Sequence, residues 1–257
     1  MSTSLFGDVI FGPVHSRRLG LSLGVNLLPV DAKLCNFNCI YCECGWNGPR
    51  SKARFNSREK VREELERKLR EMGVEGKLPD VITFAGNGEP TLHPQFEEII
   101  GDTIALRDEL APRARIAVLS NATLAGRPSV RRALLKVDEN ILKLDSAFDR
   151  TVRQINGPQG NYSVADTVEN LKKFDGRMIL QTMFLRGSCR GETVDNATEE
   201  EVNAWLEAVG EIRPSKVMIY TIDRDTPAEG LQKVSVEELN RIAERVRRLG
   251  TECSVAG

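Results

Sequence analysis

Cys35-Asn36-Phe37-Asn38-Cys39-Ile40-Tyr41-Cys42 sets three thiols at a C-x3-C-x2-C spacing. A [4Fe–4S] cube held by protein alone takes four thiolates, one for each iron. Three thiols this close together fill three corners and leave one iron open. An open coordination position separates a reactive metal centre from a sealed structural one, as it does for zinc. A free iron offers a place for a small chelating cofactor, and a cluster joined to S-adenosylmethionine (SAM) is a pairing that carries out radical chemistry.

Two other readings of these cysteines stand beside the cluster. A disulfide framework needs an oxidising compartment. The opening MSTSLFGDVIFGPV has no basic segment followed by a long apolar run, so no signal peptide is expected and the chain reads as cytoplasmic. Structural zinc is the stronger rival, with Cys44 as a fourth thiol. Zinc ribbons and fingers, however, space their ligand pairs a dozen or more residues from each other, and four ligands between Cys35 and Cys44 would be cramped. Cys189 and Cys253 stand alone in sequence and read as small packing residues.

With 257 residues the chain can bury one large core. Its 40% hydrophobic and 28% charged residues are those of a globular protein, and no apolar run reaches membrane-span length. A formal net charge of −1 argues against a strongly basic nucleic-acid surface.

Outward from the cysteines the chain alternates strands and helices. A strand over Leu21 to Leu28 precedes them. Asn56-Ser57-Arg58-Glu59 opens a helix with Val61, Leu65, Leu69 and Met72 on one face. Val81–Ala85 then reads as a buried strand, and further strands are expected near Ile116–Leu119, Ile141–Leu144, Met178–Leu185 and Val217–Tyr220. Helices are expected from about Pro94 to Glu109, Val130 to Lys136 and Val164 to Phe174, and after Thr198 and Ser235. Strands separated by helices mean βαβ units and a mainly parallel sheet, as in a full or partial (β/α) barrel. Chemistry in such folds sits on loops at the strand C-terminal ends.

The polar motifs fall there. Gly86-Asn87-Gly88-Glu89-Pro90 follows the Val81–Ala85 strand, where two glycines allow close backbone approach and Glu89 suits an ammonium group. The plain alternative is a βα turn shaped by Pro90. Asn121 ends the next strand, in a polar loop that also reads as a turn. Asp145 ends the one after, placed to accept from a ribose diol or to cap a helix. Tyr41 offers a face to adenine or packs the loop. His93 reads as a structural hydrogen-bonder. Gly12 to Gly20 is too polar and glycine-rich for core and reads as a solvated arm; its Arg17 and Arg18, together with Arg224 after the last barrel strand, could meet a carboxylate or phosphate of a substrate.

The cysteine spacing, with an aromatic before the third Cys, together with GNGEP one strand later, resembles the radical SAM superfamily. As a whole, GPVHSRRLGLSLGVN…CNFNCIYCECGW resembles a family of small Fe–S oxidoreductase-like members related at their core to the wybutosine-synthesis enzyme that acts on tRNA. His15, Leu21 and Glu43-Cys44-Gly45 depart from that family's usual residues, and Asn87 stands where the superfamily's turn motif has a second glycine. The resemblance implies a six-stranded partial (β/α)6 barrel in one domain over 1–257, with an arm and first strand in 1–30 and a cluster loop in 31–48. It implies a [4Fe–4S] cluster on Cys35, Cys39 and Cys42, and SAM near Tyr41, Gly86, Asn87, Gly88, Glu89, Asn121 and Asp145. It also implies reductive cleavage of SAM to a 5′-deoxyadenosyl radical that takes hydrogen from a substrate. The electron would come from a donor such as flavodoxin or ferredoxin. Alternatives are a tRNA-base-modifying enzyme of the same kind and a non-catalytic metal-binding module.

Overall fold

Apolar periodicity and capping residues place the helices. In a computed structural model that describes residues 5–16, 20–48 and 54–256, α1 (Arg58–Val74) begins where Ser57 Oγ accepts the Lys60 N–H at 3.3 Å. Its Val61, Leu65, Leu69 and Met72 are all at most 2% exposed, and burying each of them stabilises the fold by about 1.5–3 kcal/mol. Ser163, Thr198 and Ser235 cap α5 (Val164–Lys172), α6 (Glu199–Ile212) and α7 (Val236–Arg248) in the same way. Such caps are worth about 1 kcal/mol each. The remaining helices are α2 (Phe96–Leu110), α3 (Pro128–Leu134) and α4 (Asp149–Asn156).

The main sheet has eight strands in the order β1-β2-β3-β4-β5-β6-β9-β11. Their spans are β1 Ile10–Ser16, β2 Gly20–Val25, β3 Val81–Phe84, β4 Arg115–Ser120, β5 Glu139–Lys143, β6 Ile179–Met183, β9 Lys216–Tyr220 and β11 Glu252–Ala256. From β2 to β11 every pair is parallel, and β1 runs antiparallel on β2. Among the described residues no ladder joins β1 to β11, so the barrel is partial, as expected. The six expected strands are present as β2, β3, β4, β5, β6 and β9.

Period-two alternation divides the strands between two environments. Leu23, Ile82, Val118, Leu142, Leu180 and Val217 face the helices and join one large core. Val81, Ala117, Ile141 and Met218 face inward and form a separate small cluster with Leu119 and Ile179. The inward residues thus fill the floor of the barrel and leave its upper half for the site.

Two expectations need correction. Some of the stretch read as a solvated arm is β1, an edge strand; its backbone needs only one partner, so it tolerates Gly12 and Pro13 in its middle. Phe11 lies over Gly24, where a Cβ would meet its ring at 2.1 Å, and Phe6 stacks on Phe11 at 3.9 Å. A small antiparallel sheet of β10 (Leu231–Lys233), β7 (Leu185–Cys189) and β8 (Glu192–Asp195) was not expected either, because these strands are short and largely polar.

His93 is structural, as its place after the turn suggested. It is 4% exposed; Nε2 donates to the Asn56 carbonyl at 2.8 Å and Nδ1 accepts from the Gln95 N–H at 3.1 Å. Burial holds His93 below its ordinary value, against the opposing pull of the Asn56 carbonyl and Glu98. The folded state therefore prefers the neutral ring, and the unfolded chain takes the proton more readily. The resulting stability is complete above the unfolded value of about 6.5 and is lost as pH falls through the folded one. The urea midpoint is expected to drop between pH 7 and pH 5, and His93→Gln to flatten that section of the profile. Equal slopes in the two proteins would contradict this role.

Candidate functional site

The loop between β2 and α1 carries the cysteines, and it is stitched to the sheet by main chain. Leu34 and Gly88 form a parallel bridge: Leu34 N donates to the Asn87 carbonyl at 2.8 Å and Glu89 N to the Leu34 carbonyl at 3.1 Å. Gly88 has φ 139°, and a Cβ there would lie 1.9 Å from the Leu34 oxygen. Gly86, at φ 150°, leaves room for Asn26 in the same manner. The Asn87 side chain faces away from the cysteines and clasps Phe6 through both its amide groups, also donating to the Pro29 carbonyl. Of this turn's groups, Asn87 thus leaves only backbone near the cysteine loop.

On its other side the loop is held by α4 and the turn after it. Asn38 N donates to Asn156 O, Ile40 N to Ile155 O, and Gln159 N to Asn36 O. The Asn156–Asn161 segment is a clasp for the cysteine loop.

Cys35 and Cys39 are buried and Cys42 half-buried. Asn121 Nδ2 approaches Cys35 Sγ at 3.6 Å, Phe37 N–H donates to the same sulfur at 3.3 Å, and Asn156 Nδ2 approaches Cys39 Sγ at 3.4 Å. Burial pushes Cys39 up to about 11 and raises Cys35 further, with Glu89 and Cys39 adding to the rise at Cys35. Cys42 is lowered to about 5 by its hydrogen bond with Cys44 and by the Lys33 ammonium, while Cys44 is raised in return. Lys33 is itself 5% exposed and donates to the Gly45 carbonyl at 2.7 Å. Amide N–H groups aimed at sulfur and a buried ammonium beside it suit thiolate ligands. The residues present therefore fit a cluster on the three cysteines. Among the described residues, no three His, Cys, Asp or Glu side chains are gathered about one point as ligands of a single metal ion.

Glu89 is 2% exposed and fully engaged from its own side. Oε1 accepts from the Thr91 N–H and hydroxyl and from Ser120 Oγ; Oε2 accepts from the Asn121 N–H at 2.7 Å. Burial raises its carboxyl, opposed by these four bonds. Glu89 thus ties the end of β3 to the end of β4, and through Asn121 to Cys35. Tyr41 and Asp145 meet each other: the Tyr41 hydroxyl donates to Asp145 Oδ2, which also accepts from Asn156 Nδ2 at 2.7 Å, while Met183 N and Lys143 Nζ approach Oδ1. Lys143 bonds the Tyr220 hydroxyl at 2.8 Å and lies 5.2 Å from the centroids of both tyrosine rings. Burial works against its charge, but Asp145 and Tyr220 outweigh it and raise Lys143.

Lys33, Lys143 and Asn156 were given no role in the sequence reading. A signal existed for Lys143, a lysine between Leu142 and Leu144 in the stretch read as a buried strand; for Asn156 none existed, since its partner Tyr41 is 115 residues away. Arg17 and Arg18 lie outside the described residues. Arg224 does reach the barrel mouth, but it is paired with Glu43 of the cysteine loop at 2.7 Å. The expectation of unpaired guanidiniums awaiting an anion does not hold for Arg224.

Between the loop and the barrel floor lies a cavity of about 300 Å³, bounded above by Glu43, Ala85 and Arg224 and below by Ile141 and Met218. Ala85 and Glu43 adjoin Gly86 and Cys42 in the chain, so the cavity opens directly beneath the cysteine loop.

Residues 31–197 match the model of the radical SAM superfamily. A UPF0026 protein of Methanocaldococcus jannaschii is 31% identical over 240 residues, covering 91% of this chain and 70% of that protein. A Brachyspira hyodysenteriae protein named GTPase Obg is 30% identical over 238 residues, and this chain spans only 32% of its length. Among solved structures, a radical SAM methyltransferase from Sphaerobacter thermophilus has a TM-score of 0.68 at 16% identity, covering 91% of this chain and 65% of that one. Archaeal TYW1 has a TM-score of 0.51 at 14% identity, covering 88% and 71%. At such identities these two likenesses speak for the fold.

Proposed function

The chain belongs to the radical SAM superfamily, whose cofactors are a [4Fe–4S] cluster and SAM, and we propose from that membership that Cys35, Cys39 and Cys42 hold the cluster and that the barrel cavity receives the substrate. The observation that carries this reading is the setting of the thiols. Three of them line one stitched loop, two receive amide donors, and the buried Lys33 ammonium offsets their negative charge.

When bound, cluster and SAM supply reductive cleavage of the sulfonium to methionine and a 5′-deoxyadenosyl radical that abstracts hydrogen. The chain's own residues prepare for this in separable ways. Asn121 and Asn156 orient the sulfurs of Cys35 and Cys39. Thr91 and Ser120 fix Glu89, whose Oε2 takes a single bond and keeps acceptor capacity for an ammonium. The backbone of Gly86, Asn87 and Gly88, with Glu89 and Asn121, would hold the methionyl end of SAM. Tyr41 and Asp145 would meet its nucleoside, and Asp145 could accept from a ribose only by giving up a present partner. The barrel wall keeps water from the reacting group of the substrate, and a small electron-transfer protein supplies the electron. Among the described residues no helix is long and apolar enough to cross a membrane.

The test is anaerobic rebuilding of the cluster followed by dithionite reduction with SAM. About four irons per chain and formation of 5′-deoxyadenosine are expected. A colourless protein that retains zinc and yields no 5′-deoxyadenosine would overturn the reading.

A further inference from the structure

One group in the barrel cavity stands apart. Gln181 is 5% exposed and lies on β6, where its neighbours in sequence, Leu180 and Thr182, face the helices; Thr182 bonds the Trp205 indole of α6. Alternation therefore aims Gln181 into the barrel, and it lines the cavity there. Its side-chain amide has no hydrogen-bond partner among the described residues. Its donor and acceptor face the cavity, where a group that enters can pair with both.

The charges around it are already matched. Lys143, its register neighbour on β5, is engaged with Asp145 and Tyr220. Arg224 and Glu43 neutralise each other at the mouth. On β2 and β3, across the cavity, the Ser22 and Thr83 hydroxyls bond each other at 2.8 Å. The rest of the described wall is apolar, with Phe11, Leu119, Ile141 and Met218, apart from the exposed imidazole of His15 on β1. A charged group seated beside Gln181, among Leu119, Ile141 and Met218, would shed its water against apolar side chains. A carboxamide offers one acceptor and a donor side by side, and its natural complement is another amide.

We propose that the barrel cavity receives an uncharged amide of the substrate, a carboxamide or a peptide bond, paired donor to acceptor with the Gln181 side chain. This rests on the reading of the cavity as the substrate site. Gln181 is then a positioning and specificity residue, and the substrate class is amide-bearing rather than anionic.

Three probes of nearly one shape separate the possibilities: isobutyramide, isobutyrate and methyl isopropyl ketone. They are titrated into the full chain, with its cluster rebuilt and SAM present, and followed by saturation-transfer NMR. Isobutyramide is expected to bind about five- to tenfold tighter than either of the others. Gln181→Leu is expected to erase that preference, with iron content and urea midpoint as controls for folding. Gln181→Met, which keeps the volume, carries the same test should the leucine variant fold poorly. A wild-type chain that binds isobutyrate as well as the amide, or that binds none of the probes, overturns the proposal, as does an amide preference that survives in the variants. Failure of the 5′-deoxyadenosine assay alongside an intact amide preference would count against the proposed chemistry and leave this pairing standing.

Discussion

Alanine at Cys35, Cys39 or Cys42 is expected to reduce bound iron from about four per chain to near zero and to bring 5′-deoxyadenosine formation down to background. The loss should be all-or-none for each, because a cube with only two protein ligands has two open irons and is readily stripped. Cys44→Ala is the informative contrast. Its thiol bonds with Cys42 and lies 3.4 Å from the Gly86 carbonyl, so its removal alters the surroundings of one ligand without removing a ligand. Iron is expected to stay near wild type in that variant, by colorimetric assay and visible absorption. Loss of iron on replacing Cys44 would mean four protein ligands and no open position, and the proposed chemistry would fall with it.

Gly88→Ala is expected to have the largest effect of any change outside the thiols. A Cβ at this position falls 1.9 Å from the Leu34 oxygen and 2.8 Å from Leu28 Cδ1, and the φ of 139° is strained for any other residue. Relief requires the cysteine loop to lift from β3, breaking the Leu34 bridge that seats Cys35. We expect the unfolding free energy to fall by about 3 kcal/mol and the iron content to fall as well. Gly101→Ala supplies the control. Gly101 lies within α2 with nothing within 4 Å of an added Cβ, so alanine there should stabilise by about 0.5–1 kcal/mol. A Gly88→Ala protein with an unchanged urea midpoint would show that the loop is not anchored as described.

The helices and the six inner strands were legible because their signals are local. Ser57, Thr198 and Ser235 each cap a helix whose inward residues follow at helical spacing, and runs such as Val81–Phe84 can only be buried strands. Gly86 and Gly88 were legible as close-approach positions, yet what approaches them is Asn26 and Leu34 of the same chain. Edge strand β1 was missed because Gly12 and Pro13 interrupt it, which reads as a loop and which only an edge strand tolerates. The pairing of Tyr41 with Asp145 bridges 104 residues and leaves no local trace. Each residue was singled out separately as a ligand contact; that they contact one another depends on the register of β5 against the cysteine loop. Gln181 escaped notice because a single glutamine in a strand carries no meaning until the direction of that strand's two faces is known.

The stitching of the cysteine loop bears on how the protein endures exposure to oxygen. In a zinc finger the metal is the fold, and losing it unravels the chain. Here main-chain bonds to Asn87, Ile155 and Asn156 hold the thiols from both sides using no metal at all. Damage to the inorganic centre would then leave behind a finished receptacle, and repair becomes refilling a mould instead of refolding a polypeptide.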